Sequence, residues 1–183
     1  MTLGRREWLR GVPAFGSLVL LSGRAAAEEL VEVNGLYVFS GGARQEDRRK
    51  AAVEAVVAEV NFLIRGMARD RILEGTAPKT PLDVRLDVGS QRARLSAPQM
   101  PDIAGSIDGR PFPWKTKRGD RSTIAMTYAD NALKVRFRGD GADSRYTYRF
   151  DPSGDSIRLG VFIRHRLMPS PLRFRLSYRR KGA

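Results

Sequence analysis

The chain has 183 residues, which fits one domain. Hydrophobic residues make up 42 % of it, enough for a packed core, so a wholly disordered chain is excluded. There is no cysteine, which excludes a disulfide framework and thiolate chemistry, and the net charge of +13 directs attention to anionic partners.

The N-terminal segment has the order of a secretory signal peptide. Residues 4–10 are rich in charge, residues 12–21 form an apolar run, and Ala25, Ala26 and Ala27 supply small residues for cleavage. The apolar run is about half of the roughly 20 residues that span a bilayer. We therefore predict a signal peptide over 1–27, a single domain over 28–183 and no transmembrane segment after cleavage. A buried N-terminal helix is the alternative, but Gly11, Pro13 and Gly16 weaken it.

The charged start also carries a resemblance. The residues Arg5-Arg6-Glu7-Trp8-Leu9-Arg10 resemble the twin-arginine export signal, although Trp8 stands where Phe is usual and Gly4 where Ser or Thr is usual. The ordinary secretory route stays open. The resemblance implies a periplasmic protein that crosses the inner membrane already folded.

The next residues predict a short strand and then one long helix. Residues 30–39 are typical of a strand interrupted by a turn-like Asn34-Gly35. Glu46 and Asp47 place negative charge at an expected helix start. An apolar stripe at helical spacing then predicts about seven turns that end at Gly75: Val53, Val56, Val57, Val60, Leu63, Ile64 and Met67.

After Pro81 the apolar period changes from 3.6 to 2, which predicts antiparallel strands with one buried face. Six runs alternate in this way: 82–88, 124–128, 133–138, 146–150, 157–164 and 172–179. Short turn sequences at 129–131, 139–141 and 151–154 join them into a meander. The predicted fold class is α+β: an antiparallel β meander curled into a barrel or half-barrel, with one long amphipathic helix packed against it.

The least regular stretch, 100–120, contains two aromatic residues between prolines. The segment Asp108–Trp114 could form a mobile flap over a barrel mouth, or a rigid loop whose aromatics complete the core. With the inward-facing tyrosines of the fourth run, these residues are the candidate ligand-binding set: Phe112, Trp114, Tyr146 and Tyr148.

The meander with a single helix resembles the lipocalin-like, or calycin-like, group of small binding barrels. The residues 148–157 and the closing run 171–180 are similar to the last hairpin and closing strand of exported proteins of that group. Gly35-Leu36-Tyr37 stands where lipocalins have Gly-x-Trp, and the helix precedes the barrel where theirs follows it. Periplasmic lipoprotein carriers, which begin with a helix, match that order and stay open as an alternative.

Positive charge is concentrated in the last third of the chain. Residues 121–183 hold fourteen Lys and Arg against five Asp, and the aspartates lie in or beside turns. Because like charges across strands repel, this one-signed face favours binding of phosphate or carboxylate groups, with a merely solubilising surface as the alternative. The predicted basic face comprises Lys134, Arg136, Arg138, Arg149, Arg158, Arg164, Arg173, Arg175 and Arg179.

No motif for catalysis, a metal or a cofactor is present. His165 is the single histidine, without the further ligands that zinc needs, and no Gly-x-Ser-x-Gly elbow occurs. The paired aspartates Asp140 with Asp143 and Asp151 with Asp155 are typical of turns. We predict no catalytic residue, no metal and no cofactor, and an enzyme is the least favoured class.

Two functions remain. The first is a periplasmic carrier of an amphipathic anionic ligand such as a lipid, with the apolar part enclosed and basic residues at the rim. The second is an envelope surface or partner protein that uses its basic sheet face without an internal ligand. Nucleic acid is not expected, because export separates the chain from it and the aromatics alternate inward.

Overall fold

The computed structural model describes residues 33–116, 119, 121–139 and 141–182. The predicted signal peptide and its boundary at residue 27 lie outside these residues. The elements, in chain order, are β1 (Gly35–Phe39), α1 (Gly42–Ala58), α2 (Arg65–Thr76), β2 (Leu82–Asp87), β3 (Arg92–Ala97), β4 (Met100–Ser106), β5 (Phe112–Lys115), β6 (Arg121–Ala129), β7 (Ala132–Gly139), β8 (Ala142–Phe150), β9 (Ser156–His165) and β10 (Leu172–Arg180).

The ten strands form one antiparallel sheet in which nearly every strand pairs with its sequence neighbour. The order is β4-β3-β2-β1-β10-β9-β8-β7-β6-β5, so the first strand pairs with the last. Tyr37 lies opposite Arg180, and Phe39 lies opposite Tyr178. The predicted α+β class and the antiparallel meander curled into a barrel are confirmed.

The two edge strands, β4 and β5, meet and bring the barrel close to closure. The indole Nε1 of Trp114 on β5 donates to the carbonyl oxygen of Asp102 on β4 at 3.1 Å. Beside it, the ring of Phe112 fills the space over Gly105, where a Cβ would lie 2.5 Å from the ring. Side-chain contacts therefore join β4 to β5, whereas backbone hydrogen bonds join every other pair of neighbouring strands.

The single long helix predicted from the apolar stripe is two helices. α1 ends at Ala58, and the side-chain oxygen of Asn61 accepts a hydrogen bond from the Leu63 amide in the turn that follows. Arg65, the first residue of α2, donates to the carbonyl oxygens of Ala58 and Val60 and so satisfies the end of α1. The stripe divides at this turn: Val53, Val56, Val57 and Val60 are buried, whereas Leu63 and Met67 are 77 % and 72 % exposed.

Length explains the break. A continuous helix over 46–75 would measure about 45 Å at 1.5 Å per residue, longer than any strand of this barrel. By folding back, α2 places Ile72 and Leu73 in the same apolar cluster as Val53 and Leu172. α1 also begins at Gly42, earlier than predicted, and Glu46 pairs with Arg49 instead of marking the helix start.

Three strands are present where the sequence pattern predicted none. β3 alternates as the others do, but its inward residues are Ala93, Leu95 and Ala97, two of them small. β4 and β5 occupy the stretch that appeared irregular because of its prolines. Both lie at sheet edges, where a missing N–H donor is tolerated.

Buried side chains form two clusters. The larger one fills the barrel, and the smaller one joins α1 to β10 through Leu172. Within the described ranges, neither helix is long and apolar enough to cross a membrane.

Candidate functional site

A cavity of about 280 Å³ lies inside the barrel, below the end of α2. Gly75 and Thr76 border it at the helix end, and Ser122, Gly139 and Ala142 border it at nearby strand ends. Its deeper wall comes from the inward residues of β8, β9 and β10, including Tyr148, Leu159 and Leu176. The inward-facing residues of the alternating strands therefore line the cavity as well as forming the core.

One side of the cavity is a row of aromatic rings. The Trp114 ring packs edge-on against Phe137 with centroids 5.6 Å apart, and Phe137 packs edge-on against Tyr146 at 5.3 Å. Such pairs add about 0.5–1.5 kcal/mol each beyond simple burial. The row runs from the joined edges of the sheet to the interior and presents a rigid apolar surface to anything bound there.

Two phenol groups open onto this apolar space without a hydrogen-bond partner in the part of the chain that the structure describes. Tyr148 is 6 % exposed, and Tyr146 is half-buried because it borders the cavity. Neither hydroxyl hydrogen-bonds to any of the residues that the structure describes. Burial raises the pKa of Tyr146 to about 12 and raises the pKa of Tyr148 further, so both phenols stay protonated and able to donate.

A third tyrosine in the same wall is bonded to the protein. The hydroxyl oxygen of Tyr178 accepts a hydrogen bond from the Lys79 amide at 3.2 Å. Burial again raises the pKa, to about 12. Sequence patterning did not single out Tyr178, although its inward position on the last strand could have identified it.

The cavity lining is almost free of charge. Among the described residues that border it, Lys79 is the one that is charged, and its Nζ lies 3.5 Å from the carbonyl oxygen of Glu74. The sequence predicted basic residues at the rim, yet the arginines of β7 to β10 point to the opposite face. A carboxylate placed deep in this cavity would therefore lack a cation beside it.

A buried arginine holds the helix pair over the cavity. Arg49 is 3 % exposed and binds Glu46 through two hydrogen bonds of 2.6 and 2.9 Å. It also donates to the Thr76 hydroxyl at 2.7 Å and to the Leu73 carbonyl at 3.1 Å. The hydrogen bond from Arg49 lowers the pKa of Glu46, so the pair stays charged while it ties α1 to the end of α2.

Three of the four candidate ligand-binding residues border the cavity: Trp114, Tyr146 and Tyr148. Phe112 does not border it, because its ring fills the space over Gly105 at the joined edges. The segment considered as a flap is anchored, since the Gly109 amide donates to the Met126 carbonyl at 2.8 Å and Asp108 pairs with Thr127. These aromatics complete the wall as part of an edge strand, and a ligand-binding role for the four residues stays a prediction.

The predicted basic face lies on the outside of β7 to β10. Eight of its nine residues are exposed there, whereas Arg136 is half-buried and binds Asp143 through two hydrogen bonds of 2.8 and 2.6 Å. Asp143 lies within β8, so this face carries one acid between its arginines. The hydrogen bond from Arg136 lowers the pKa of Asp143, which therefore stays ionised.

Metal chemistry has no visible basis in the described residues, where no three His, Cys, Asp or Glu side chains come together. His165 lies at the end of β9, and its Nδ1 accepts a hydrogen bond from the Leu167 amide at 3.2 Å.

The sequence matches no protein-family model, and no curated protein matches it. Solved structures with a similar backbone include proteins named for the binding or transport of fatty acids or lipids. A fatty-acid-binding protein from the brain of Drosophila melanogaster aligns over 80 % of this chain and 98 % of its own, with 15 % identity and a TM-score of 0.49. Lipid binding protein 8 of Caenorhabditis elegans aligns over 83 % and 99 %, with 12 % identity and a TM-score of 0.49. The fatty acid transporter REP1-NXSQ aligns over 82 % and 96 %, with 17 % identity and a TM-score of 0.47.

These likenesses concern the path of the backbone alone, and the ligand has to be argued from the cavity itself.

Proposed function

We propose that this protein binds a small amphipathic ligand, such as a single-chain lipid, inside its barrel. The observation that carries the proposal is an apolar cavity onto which two phenol groups, those of Tyr146 and Tyr148, open without a hydrogen-bond partner among the described residues. A hydroxyl that reaches such a cavity is available to donate to a bound molecule. A ligand with an apolar chain and one polar group supplies both the chain that fills the cavity and the missing partner.

The size and lining of the cavity restrict the ligand. A volume of about 280 Å³ is near the lower end for small-molecule sites, which favours one chain over a two-chain lipid. Aromatic and aliphatic side chains dominate the wall, so most of the affinity would come from apolar area removed from water, at about 25 cal/mol per Å².

The protonation state of the ligand follows from the scarcity of charged residues around the cavity. A buried carboxylate without a cation is strongly disfavoured, and an acid in such a place has a raised pKa. We propose that a fatty acid, anionic in water, binds in its uncharged form, with the phenols donating to its carbonyl oxygen. Lys79 at the mouth suits an anionic group that remains outside.

The setting we propose is the periplasm. The charged start, apolar run and small-residue boundary of residues 1–27 support export. The ligand would then be a lipid of the cell envelope, carried between membranes or kept out of water.

The test compares a blocked cavity with a matched surface change. The full chain is purified, examined by native mass spectrometry for bound lipid, stripped, and titrated with dodecanoic acid and dodecanol by calorimetry. Ser144→Phe places a ring in the cavity, whereas Thr123→Phe places the same ring on the exposed outer surface of β6. We expect saturable binding that falls at least tenfold in Ser144→Phe and less than twofold in Thr123→Phe. Equal affinities in the two variants, or no binding of either probe, would overturn the proposal.

A further inference from the structure

The outer face of the barrel carries a phenylalanine flanked by two arginines. Phe162 on β9 lies opposite Arg145 of β8 on one side and opposite Arg173 of β10 on the other. The guanidinium carbons of Arg145 and Arg173 lie 5.2 and 5.1 Å from the centre of the phenylalanine ring. Both distances are within cation–π range, so one ring holds two cations in place.

The neighbouring row of the sheet leaves a gap beside this ring. Gly160 lies between Thr147 and Arg175, and a Cβ built on it would meet no atom within 4 Å. The result is a shallow outward depression of about 550 Å³ whose rim includes Arg145, Thr147, Phe162, Arg173 and Arg175. Because Gly160 has no side chain, there is open space among the three arginines.

These cations are not neutralised from within the described part of the chain. Arg173 and Arg175 form no ion pair there, and Arg145 reaches Asp143 only at 3.4 Å while Arg136 holds that carboxylate more closely. Like charges at adjacent positions of a sheet destabilise it, and the one acid beside this group, Asp143, is shared with Arg136.

The opposite side of the barrel is different. On the outer face of β2 and β3, Arg85 pairs with Asp83, and Arg94 pairs with Asp102. Two of the three arginines on that face are therefore paired with aspartate, whereas three arginines crowd around Gly160 with a single shared aspartate beside them.

We propose that this depression, which we call the Gly160 site, binds the phosphate group of an organic phosphate. Guanidinium groups bind phosphate with paired hydrogen bonds, and a ring that holds two of them in place leaves their charge available. Phe162 offers an apolar surface to the carbon part that bears the phosphate, and the Thr147 hydroxyl adds a donor.

The Gly160 site does not depend on the internal cavity. Leu159 borders the cavity, Gly160 and Phe162 border the outer depression, and Val161 lies between the two and borders both. A failure of lipid binding would leave this proposal standing, and the reverse holds as well.

The test uses glycerol 3-phosphate as the soluble probe and vesicles of phosphatidylglycerol in phosphatidylcholine as the membrane probe. Binding of the soluble probe to the full chain is followed by amide chemical shifts. We expect saturable shifts centred on Gly160, Phe162 and Arg173. The double variant Arg173→Gln with Arg175→Gln should weaken binding at least tenfold, and Gly160→Val should do the same without changing the net charge.

A matched control removes two charges elsewhere. Arg44 on α1 and Arg92 on β3 are exposed and have no ion-pair partner among the described residues, so Arg44→Gln with Arg92→Gln should change the affinity less than twofold. If vesicle binding is weakened by Arg173→Gln with Arg175→Gln but not by the control double variant, the phosphate belongs to a lipid head group. If vesicle binding is absent, or falls equally in both double variants, the phosphate belongs to a soluble molecule. Equal weakening of glycerol 3-phosphate binding by both double variants, or shifts with no centre at Gly160, would overturn the proposal.

Discussion

Replacing Tyr148 with phenylalanine should have opposite effects on stability and on ligand binding. The tyrosine is 6 % exposed, and its hydroxyl has no partner among the described residues. A hydroxyl that faces an apolar cavity without a hydrogen bond is unfavourable, so its removal should stabilise the unliganded protein by about 1 kcal/mol. For a domain of this size, that corresponds to a rise in Tm of about 2–4 °C.

The same change should weaken binding. If the Tyr148 hydroxyl donates to the ligand, its loss removes a neutral hydrogen bond worth about 0.5–1.5 kcal/mol. The Kd for dodecanol should then rise about twofold to twelvefold. Thermal unfolding of lipid-free protein gives the first quantity, and calorimetric titration gives the second.

Tyr178 provides the matched control within the same cavity. Its hydroxyl accepts a hydrogen bond from the Lys79 amide, so Tyr178→Phe should lower the stability of the unliganded protein by about 0.5–1.5 kcal/mol. A loss of stability in Tyr148→Phe equal to that in Tyr178→Phe would refute the reasoning, because it would mean that the Tyr148 hydroxyl is already bonded before any ligand arrives.

Three further changes have definite expected signs. Between pH 8 and pH 6, the affinity for dodecanoic acid should rise about tenfold for each unit by which the pH falls, because the acid must gain a proton to bind, while calorimetry with dodecanol should give a flat profile. Arg49→Met should lower the free energy of unfolding in urea by about 1–3 kcal/mol, because the buried guanidinium that ties α1 to Thr76 and Leu73 of α2 is lost. Arg48→Met on the exposed face should change it little. Gly105→Ala should cost about 1–3 kcal/mol in the same assay, because its Cβ would lie 2.5 Å from the Phe112 ring, whereas Gly66→Ala in the open part of α2 should add about 0.5–1 kcal/mol.

Each of these expectations has a contrary result. A dodecanoic acid affinity that is constant with pH would mean that the carboxylate binds ionised, with Lys79 as the nearest cation. Equal losses in the two arginine variants would mean that α1 and α2 do not depend on the Arg49 hydrogen bonds. A stable Gly105→Ala variant would mean that β4 and β5 separate without cost.

Seven of the ten strands could be predicted, six of them because their inward residues are large and their outward residues are polar. In β9, Ile157, Leu159 and Val161 alternate with polar or small residues, and that pattern indicates both the strand and its inner face. β4 and β5 have too few large residues for such a signal, and Pro101 and Pro113 are usually taken to mark a loop. Their place at the sheet edges, which makes proline acceptable, is a property of the whole barrel and is absent from the local pattern.

The helical region shows a different limit. An apolar stripe fixes which residues share a face, but not where the surface that covers them ends. Val53, Val56 and Val57 pack in the cluster that contains Leu172, and beyond Val60 the chain turns back so that α2 packs against the same cluster. Phe62, Leu63 and Met67 are consequently exposed, although their spacing continues the pattern.

The candidate sites divide along the same lines. Trp114, Tyr146 and Tyr148 could be predicted as cavity residues from alternation alone, whereas the lack of a partner for the phenols depends on side chains from distant strands. The basic face could be predicted as a set, but not the group around Gly160, because it joins residues of β8, β9 and β10 that only the register brings side by side.

Strand β9 joins the two proposed sites within one run of residues. Leu159 and Val161 contribute the apolar wall of the cavity, and Gly160 and Phe162 contribute the gap and the ring of the outer site. Because successive side chains of a strand point to opposite faces, residues next to each other in sequence take part in different chemistry. A substitution at Gly160 should therefore weaken phosphate binding alone, and a substitution at Leu159 should weaken lipid binding alone. That pair of results would show that the two faces of one strand serve two separate sites.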